Sequence, residues 1–525
     1  MKELPDRIGD TFKDRTVFIT GSTGFVGKVL LEKLLRSTEV KKIYLLIRRK
    51  KGKSHTERIQ DIFNNMLFKP LTEQKPDAKN KCVAIQGDVS EIDLGISPQD
   101  RKTLTDEVDF IFHCAATTRF DHTLKDAIIM NARGTKLMLD LAEECKHLKL
   151  FVHVSTAYEA VTYEKLYDPP ADPHEVLNSI SWIKEDTMRN FTKNLLGDIP
   201  NSYTFSKALA ESLVYERLGK IPFIITRPAI VVPTYRDPFP GWCNSLNGPM
   251  GLFVGAGKGV IRSMYMDYNT HANFVPADCT VSGMLAASWN YLNFPDSPNI
   301  INLCVPEKDI KINWGELIFT GYRVINESVP FNNILWYPGG TITTSKLYNN
   351  INFVLFQLIP ALFIDLLLIV LGYKPILYNI QMRIRKGSEM FEYYTVKEWN
   401  FSTKNIEAIR SKLNERENEI YVVQSDVIDV EKYLTDCILV VRRSILKETD
   451  DMLPAARRNM KIMYVLNIVT KTSFLSFFMC LRKLPSDARW RYISFPKMIF
   501  NSFGSLSLAL TSLSIWAKVH LKNRR

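Results

Sequence analysis

Residues 16–27 read TVFITGSTGFVG, a short β-branched run that ends in glycines and opens directly onto a helical pattern. No other stretch restricts the fold of this chain as much. Gly21 permits a sharp turn out of the strand, Gly24 lets backbone amides approach a bound anion, and Gly27 lets helix and strand pack closely. The new helix presents unpaired N–H groups and the positive end of its dipole to that anion. Strand, glycine turn and helix in this order specify a site for a dinucleotide pyrophosphate, lined by Gly21, Ser22, Thr23, Gly24, Phe25, Val26 and Gly27.

The following residues agree. KIYLLI at 42–47, KCVAIQ at 81–86, VDFIFH at 108–113 and LFVHVS at 150–155 are apolar on both faces and separated by helix-length segments. Strands of that kind form a parallel sheet covered by helices on both sides, a doubly wound α/β fold of Rossmann type. The glycine spacing is one residue wider than the usual dinucleotide fingerprint and resembles the variant of extended short-chain dehydrogenases/reductases.

The end of the second strand selects the cofactor. A carboxylate there suits the ribose of NAD, whereas arginine suits the 2′-phosphate of NADP. This chain has Arg48, Arg49, Lys50 and Lys51, with no acid until Glu57, which points to NADPH. Ala115 and Ala116 end the fourth strand with small side chains where a cofactor lies against backbone.

Tyr203 and Lys207 stand at i, i+4 on a helical pattern, so phenol and ammonium share a face. A nearby ammonium favours the phenolate and makes tyrosine a proton donor or acceptor at neutral pH. A hydroxyl at the end of the fifth strand completes such a site by hydrogen-bonding a substrate carbonyl. Ser155 and Thr156 both qualify. The histidines form no metal-binding pattern, so no metal is expected; His113, His122 and His153 are expected to be satisfied structural residues.

These residues, with HVSTAY at 153–158, LLGDIPNSYTFSKALAES at 195–212, RPAIVVP at 227–233, the segment 237–264 and LWYPGGTITTSKLY at 335–348, resemble the alcohol-forming fatty acyl-CoA reductases of male-sterility type. The resemblance covers roughly residues 10–447 and makes 335–447 similar to that family's C-terminal sterile domain. It implies reduction of a long-chain acyl-CoA by NADPH to a primary alcohol, in two hydride transfers through an aldehyde. It assigns proton donation to Tyr203, the nicotinamide ribose to Lys207, carbonyl polarisation to Thr156 with Ser155 in reserve, and cofactor contacts to Asp88, Val89 and Pro228.

The chain of 525 residues, 46% apolar and 24% charged, has the size of two or three domains. That composition excludes a disordered tail protein, a collagen-like fibre and a polytopic transporter. The expected organisation is a reductase domain at 10–330, a mainly helical sterile-type domain at 335–447, and a basic, apolar, membrane-associated tail at 455–525. Eight scattered cysteines read as reduced thiols, and from the charged N-terminal residues no secretory signal is expected. Residues 441–525 hold 16 Lys and Arg against 4 Asp and Glu, so the whole net charge of +12 lies there. Basic residues alternating with apolar runs fit a membrane surface and not nucleic acid.

Three stretches compete for the membrane. The run 351–373 carries Asp365 and is expected to be a buried or acyl-tunnel helix; 460–481 suits an interface; 498–517 is long enough to span. The expected location is a membrane, the endoplasmic reticulum ahead of the peroxisome, with the catalytic body facing the cytosol. A homo-oligomer stays open. Rival readings are a reductase that stops at the aldehyde, an extended reductase acting on a nucleotide sugar, and a lipid-binding scaffold without activity.

Overall fold

The computed structural model describes residues 4–48, 52–118, 122–158, 163–246, 248–306, 312–424 and 428–483. Its centre is a seven-stranded sheet of β1 (Thr16–Thr20), β2 (Lys42–Ile47), β3 (Cys82–Gln86), β4 (Phe110–His113), β5 (Leu150–Val154), β6 (Phe223–Pro228) and a last strand, Ile300–Leu303. The order across the sheet is Ile300–Leu303, β6, β5, β4, β1, β2, β3. Every pairing in it is parallel. The chain therefore winds outward from β1 to β3, then restarts at β4 on the other side of β1. Strand C-termini share one edge, and the crevice opens where the order reverses, between β1 and β4.

All five residues of β1 are buried, because the sheet has an apolar layer on each face. Val17, Ile19, Leu45, Phe110 and Val152 join one layer, under the helices Phe25–Ser37 and Ala277–Asn293. Phe18, Leu46, Ile111, Phe151 and Ile225 join the other, under Gly134–Glu144 and Ser202–Tyr215. Alternate residues of a strand point to opposite faces, which is why these strands need apolar side chains throughout. The helix Ser202–Tyr215 starts where the Asn201 side chain accepts from Thr204 N, and it buries Phe205, Leu209 and Leu213.

The described residues pack as two compact units, each assembled from three segments. The sheet unit takes Met1–Leu246, Met266–Leu317 and Glu389–Val441; the second takes Asn247–Tyr265, Ile318–Ser388 and Arg442–Arg525. Residues 389–441 return to the sheet, where Asn405 Nδ2 donates to Ile300 O at 2.8 Å and Asn302 Nδ2 donates to Ser402 O at 3.0 Å. The second unit is mainly helical, with one parallel strand pair, Ser263–Tyr265 and Thr341–Thr343.

Within the second unit, the 25-residue helical run Lys346–Val370 is the one stretch among the described residues long and apolar enough to cross a membrane. The expectation that 351–373 is buried is overturned, since Leu355, Phe356, Leu362, Leu366 and Ile369 are all exposed. Residues 460–481 fall in the helix Leu453–Lys483, and the segment 498–517 lies outside the described residues. Cys82, Cys114, Cys145, Cys243, Cys279, Cys304 and Cys437 are free thiols.

Candidate active site

The glycine turn rests on the end of β4. Gly24 N donates to Gly21 O at 2.8 Å, closing the turn. Gly21 has φ +72°, and a Cβ there would sit 2.7 Å from Ala115 N. A Cβ on Gly27 would sit 2.3 Å from Gly21 O, so the helix reaches this close to the turn only because both residues lack side chains. No side chain caps the helix at Gly24, which leaves its first N–H groups for an anion. Ser22 Oγ is fully buried without a hydrogen-bond partner. An unpaired buried hydroxyl costs about 1–3 kcal/mol, and a pyrophosphate oxygen would satisfy it. Thr23 is partly exposed in the turn, Phe25 packs 5.5 Å from the Trp242 ring, and Val26 packs against the core.

Arg48 lies just past β2, with its Nη1 3.5 Å from Asp88 Oδ2. Asp88 is fixed by Ser90, whose N and Oγ donate to its Oδ1 at 3.0 and 2.8 Å. Val89 is buried beside Gly134, where a Cβ would meet Val89 O at 3.0 Å. Ala115 N donates to Thr20 Oγ1 at 3.2 Å, and Ala116 follows, partly buried. Arg49 lies outside the described residues. These positions ring the C-terminal edge of β1 to β4 and fit a dinucleotide.

The second half of the site is built on β5 and the helix Ser202–Tyr215. Lys207 is 1% exposed, and its Nζ donates to Val154 O at 2.7 Å, which ties the ammonium to the end of β5. Beyond Val154 the chain stays paired to β6 and its continuation: Ser155 N donates to Thr226 O at 2.8 Å and Ala157 N to Pro228 O at 2.9 Å. Thr156 Oγ1 accepts from Tyr158 N at 3.3 Å. Ser155 Oγ is buried with no partner. Tyr203 is half-buried one turn before Lys207 on the same helix. A buried ion pair positions that helix, since Arg227 Nε on β6 donates to Glu211 Oε1 at 2.9 Å. Arg227 Nη1 also donates to Lys165 O at 3.1 Å.

Two family models, both described as male sterility protein, match residues 19–284 and 356–448. Fatty acyl-CoA reductase 1 of Rattus norvegicus is 34% identical over 468 residues, covering 86% of this chain and 89% of its own. Fatty acyl-CoA reductase wat of Drosophila melanogaster is 34% identical, covering 88% and 90%. The chain belongs to the fatty acyl-CoA reductase family. Among solved structures, the terminal R domain of a myxalamid PKS-NRPS pathway superposes with TM-score 0.57 at 18% identity, over 85% of this chain and 96% of that one. The R domain of a Mycobacterium tuberculosis nonribosomal peptide synthetase gives 0.54 at 17% identity, over 84% and 96%. At such identities the likeness speaks for the fold alone. The protein is an oxidoreductase that reduces fatty acyl-CoA with a nicotinamide cofactor.

Motif reading of this reductase misses several residues around the site. Asn131, on the π-turn Ile128–Arg133, is fully buried and donates from Nδ2 to Ser206 Oγ at 2.9 Å, while its Oδ1 accepts from Thr117 N at 2.8 Å. It joins the catalytic helix to the loop after β4. The available signal was an amide inside the apolar run IIMNA. Arg58 donates to Arg48 O, and burial followed by the Arg48 charge pushes its guanidinium below the usual range. Burial and then Arg58 likewise push Lys28 down, so three cations gather beside the end of β2.

The histidines are only partly as expected. His113 is satisfied, with Nδ1 2.8 Å from Thr20 Oγ1 and Nε2 3.1 Å from Thr135 Oγ1. His122 Nδ1 lies 3.1 Å from Thr117 Oγ1. His153 departs from the expectation: it stacks on His113 at 5.6 Å, fully buried, and neither ring nitrogen has a hydrogen-bond partner. Burial, reinforced by the Lys207 ammonium, pushes His113 down to about 3 and His153 well below its ordinary value. Both rings are therefore neutral, which leaves Lys207 as the positive charge beside them. No group of side chains suited to a metal occurs among the described residues.

Proposed function

We propose that this reductase converts a long-chain acyl-CoA to the primary fatty alcohol with two NADPH, through an aldehyde retained at one site. The observation that carries the reading is the Lys207 ammonium fixed to Val154 O at 2.7 Å, one helical turn from Tyr203 and next to Ser155 and Thr156. The glycine turn with Ser22 holds the pyrophosphate, Asp88 and Val89 the adenosine side, and Ala115, Ala116 and Pro228 the nicotinamide side. Arg48, with Arg49, takes the 2′-phosphate, supported by the lack of any acid before Glu57. When bound, NADPH supplies hydride to the carbonyl carbon.

The residues of the chain handle charge and protons. Thr156 Oγ1 accepts from Tyr158 N and so keeps its own proton to donate to the substrate carbonyl oxygen, where negative charge develops. Tyr203 gives its proton to that oxygen, and Lys207, holding the nicotinamide ribose, stabilises the phenolate left behind. The Tyr203 phenolate takes the hydroxyl proton of the resulting hemithioacetal as CoA leaves as thiolate, which solvent protonates, and the aldehyde remains. Tyr203, reprotonated in that step, and Thr156 then serve the second reduction in the same roles, after which solvent returns the proton to Tyr203.

The reaction fits a membrane enzyme, since acyl-CoA and fatty alcohol both partition into lipid. The basic tail at 455–525 attaches the chain to the membrane, the endoplasmic reticulum ahead of the peroxisome, and the catalytic body faces the cytosol. The test is detergent-solubilised protein with palmitoyl-CoA, NADPH oxidation followed beside NADH, and lipids resolved by chromatography. Hexadecanol formed with NADPH, and lost in Tyr203→Phe while NADPH still binds, supports the reading. Full activity in Tyr203→Phe overturns it.

A further inference from the structure

The second unit carries a helix whose outer face is apolar, although Asn352, Gln357 and Asp365 are buried with Phe353, Ala361 and Leu368 on its inner face. In the run Lys346–Val370 the polar side chains Asn352, Gln357 and Asp365 are 6%, 3% and 4% exposed, whereas Leu355, Phe356, Leu362, Phe363, Leu366 and Ile369 are exposed. Each inward polar group has a partner. Asn352 Nδ2 donates to Tyr348 O at 3.0 Å, and Gln357 Oε1 accepts from Arg262 N at 3.1 Å. Asp365 accepts from Ile376 N, Leu377 N and Tyr378 N at 3.0, 2.9 and 2.8 Å, and so caps the helix Leu377–Thr395. The one acid in this stretch is thus used up inside the unit and leaves the outer face without a negative charge.

The helix Leu453–Lys483 buries Ala456, Met460 and Met463 and also turns apolar residues outward in its first half. Asn467 is buried and accepts from Trp336 Nε1 at 3.0 Å, while Ile462, Val465, Ile468 and Val469 are exposed. One short segment holds both helices. Arg262, which binds Gln357 through its N–H, donates from Nη1 to Tyr337 O at 2.7 Å, and the Tyr337 ring packs 5.1 Å from Tyr464. Water does not favour apolar side chains outward and amides inward; hydrocarbon does. Cations predominate around these faces, with Glu389, Asp450 and Asp451 as nearby acids. Lys346, Lys374, Arg383 and Lys386 flank the first helix and Arg457, Arg458, Lys461 and Lys471 the second, and no acid occurs at 453–483.

We propose that the outer faces of Lys346–Val370 and of the first half of Leu453–Lys483 lie in one leaflet of an anionic membrane, a docking surface of the folded second unit that joins Lys346–Val370 to the start of the basic tail. Lipid is the partner because cationic flanks beside an apolar face complement acyl chains under anionic headgroups. The first helix lies along the surface and does not cross. Its start packs on the strand pair Ser263–Tyr265 and Thr341–Thr343, and its inward polar groups are held by protein along its length, so lipid cannot surround it. The surface extends the membrane attachment proposed above for the tail.

The test uses the full chain on phosphatidylcholine vesicles with a minority of phosphatidylserine, doped with a lipid that carries a photoactivatable group in its acyl chain. Adducts are mapped by mass spectrometry. The proposal expects adducts in 347–373 and 462–469, falling roughly tenfold or more in 347–373 for the Phe363→Glu/Leu366→Glu double variant. That variant keeps its turnover of palmitoyl-CoA in detergent. Adducts confined to residues beyond 483 would overturn the proposal and leave the tail attachment standing. Protein–protein crosslinks through 347–373 without lipid adducts would assign the face to a second copy and likewise overturn it.

Discussion

Replacing Gly27 with alanine puts a methyl group 2.3 Å from Gly21 O, 2.8 Å from Gly21 C and 2.9 Å from Ser22 Cα. The first distance is more than 1 Å inside the roughly 3.5 Å at which heavy atoms meet without repulsion. All three neighbours are backbone atoms, so no side chain can swing away. Either the helix Phe25–Ser37 retreats from the turn, or the turn opens and Gly21 loses its seat against Ala115. Overpacking of this kind costs about 1–3 kcal/mol. If the turn absorbs the strain, NADPH binding weakens by roughly 5- to 150-fold. If the helix absorbs it, the loss appears as stability, because Val29, Leu30 and Leu34 move out of register with the sheet. Equilibrium titration with NADPH and a thermal melt of the apo chain, run on the same preparation, measure both. The expected result is a clear loss in at least one. A Gly27→Ala protein with wild-type affinity and wild-type melting would refute the close approach on which the cofactor site rests.

Three further outcomes follow from the site. Arg48→Ala should weaken NADPH by about tenfold and leave NADH unchanged, since the guanidinium fork matters only where a phosphate is present; an equal loss for both cofactors in steady-state kinetics would contradict the assignment. Thr156→Val should lower kcat by about 10²–10³, with Ser155→Ala close to wild type, because only the Thr156 hydroxyl is already oriented by Tyr158 N; the reverse ranking would give the role to Ser155. His113 and His153 are held below their unfolded value of 6.5. The folded chain then binds fewer protons than the unfolded one below that value. Their contribution is complete above about pH 6.5 and declines as pH falls below it, for His113 down to about pH 3, by about 1.4 kcal/mol per pH unit for each ring. Urea midpoints at pH 7 and pH 5.5 should show that decline, and His153→Leu, which removes a ring whose nitrogens are unpaired, should make it shallower. A midpoint independent of pH over this interval would contradict the buried neutral pair.

The central sheet was legible because its strands are apolar on both faces, a pattern few other structures need. β1, β2 and β5 begin at the residues expected, and the glycine turn stands where its spacing puts it. Tyr203 and Lys207 were legible as a pair because i, i+4 spacing on a helix is local geometry. What escaped was set by distant partners. Asn131 meets Ser206 across 75 residues, and Arg58 meets the Arg48 carbonyl only once the helix His55–Phe63 has folded back on β2. Asp365 misled the reading of 351–373. A carboxylate in an apolar run looks like a cost of insertion, but the turn after Val370 brings three N–H groups to it and leaves the other side of the helix wholly apolar. The packing of 389–441 with the sheet was not legible, since long-range bonds such as Asn405 to Ile300 leave no trace in composition.

The most direct test of the account supplies NADPH deuterated at its transferable hydride, with unlabelled palmitoyl-CoA, to the full chain in detergent. Two successive reductions at one carbon predict hexadecanol carrying two deuterium atoms at C1, with one CoA released per alcohol. Hexadecanal with a single deuterium as the end product would contradict the four-electron reading, and an acyl-CoA left unlabelled and unreduced would contradict the function itself.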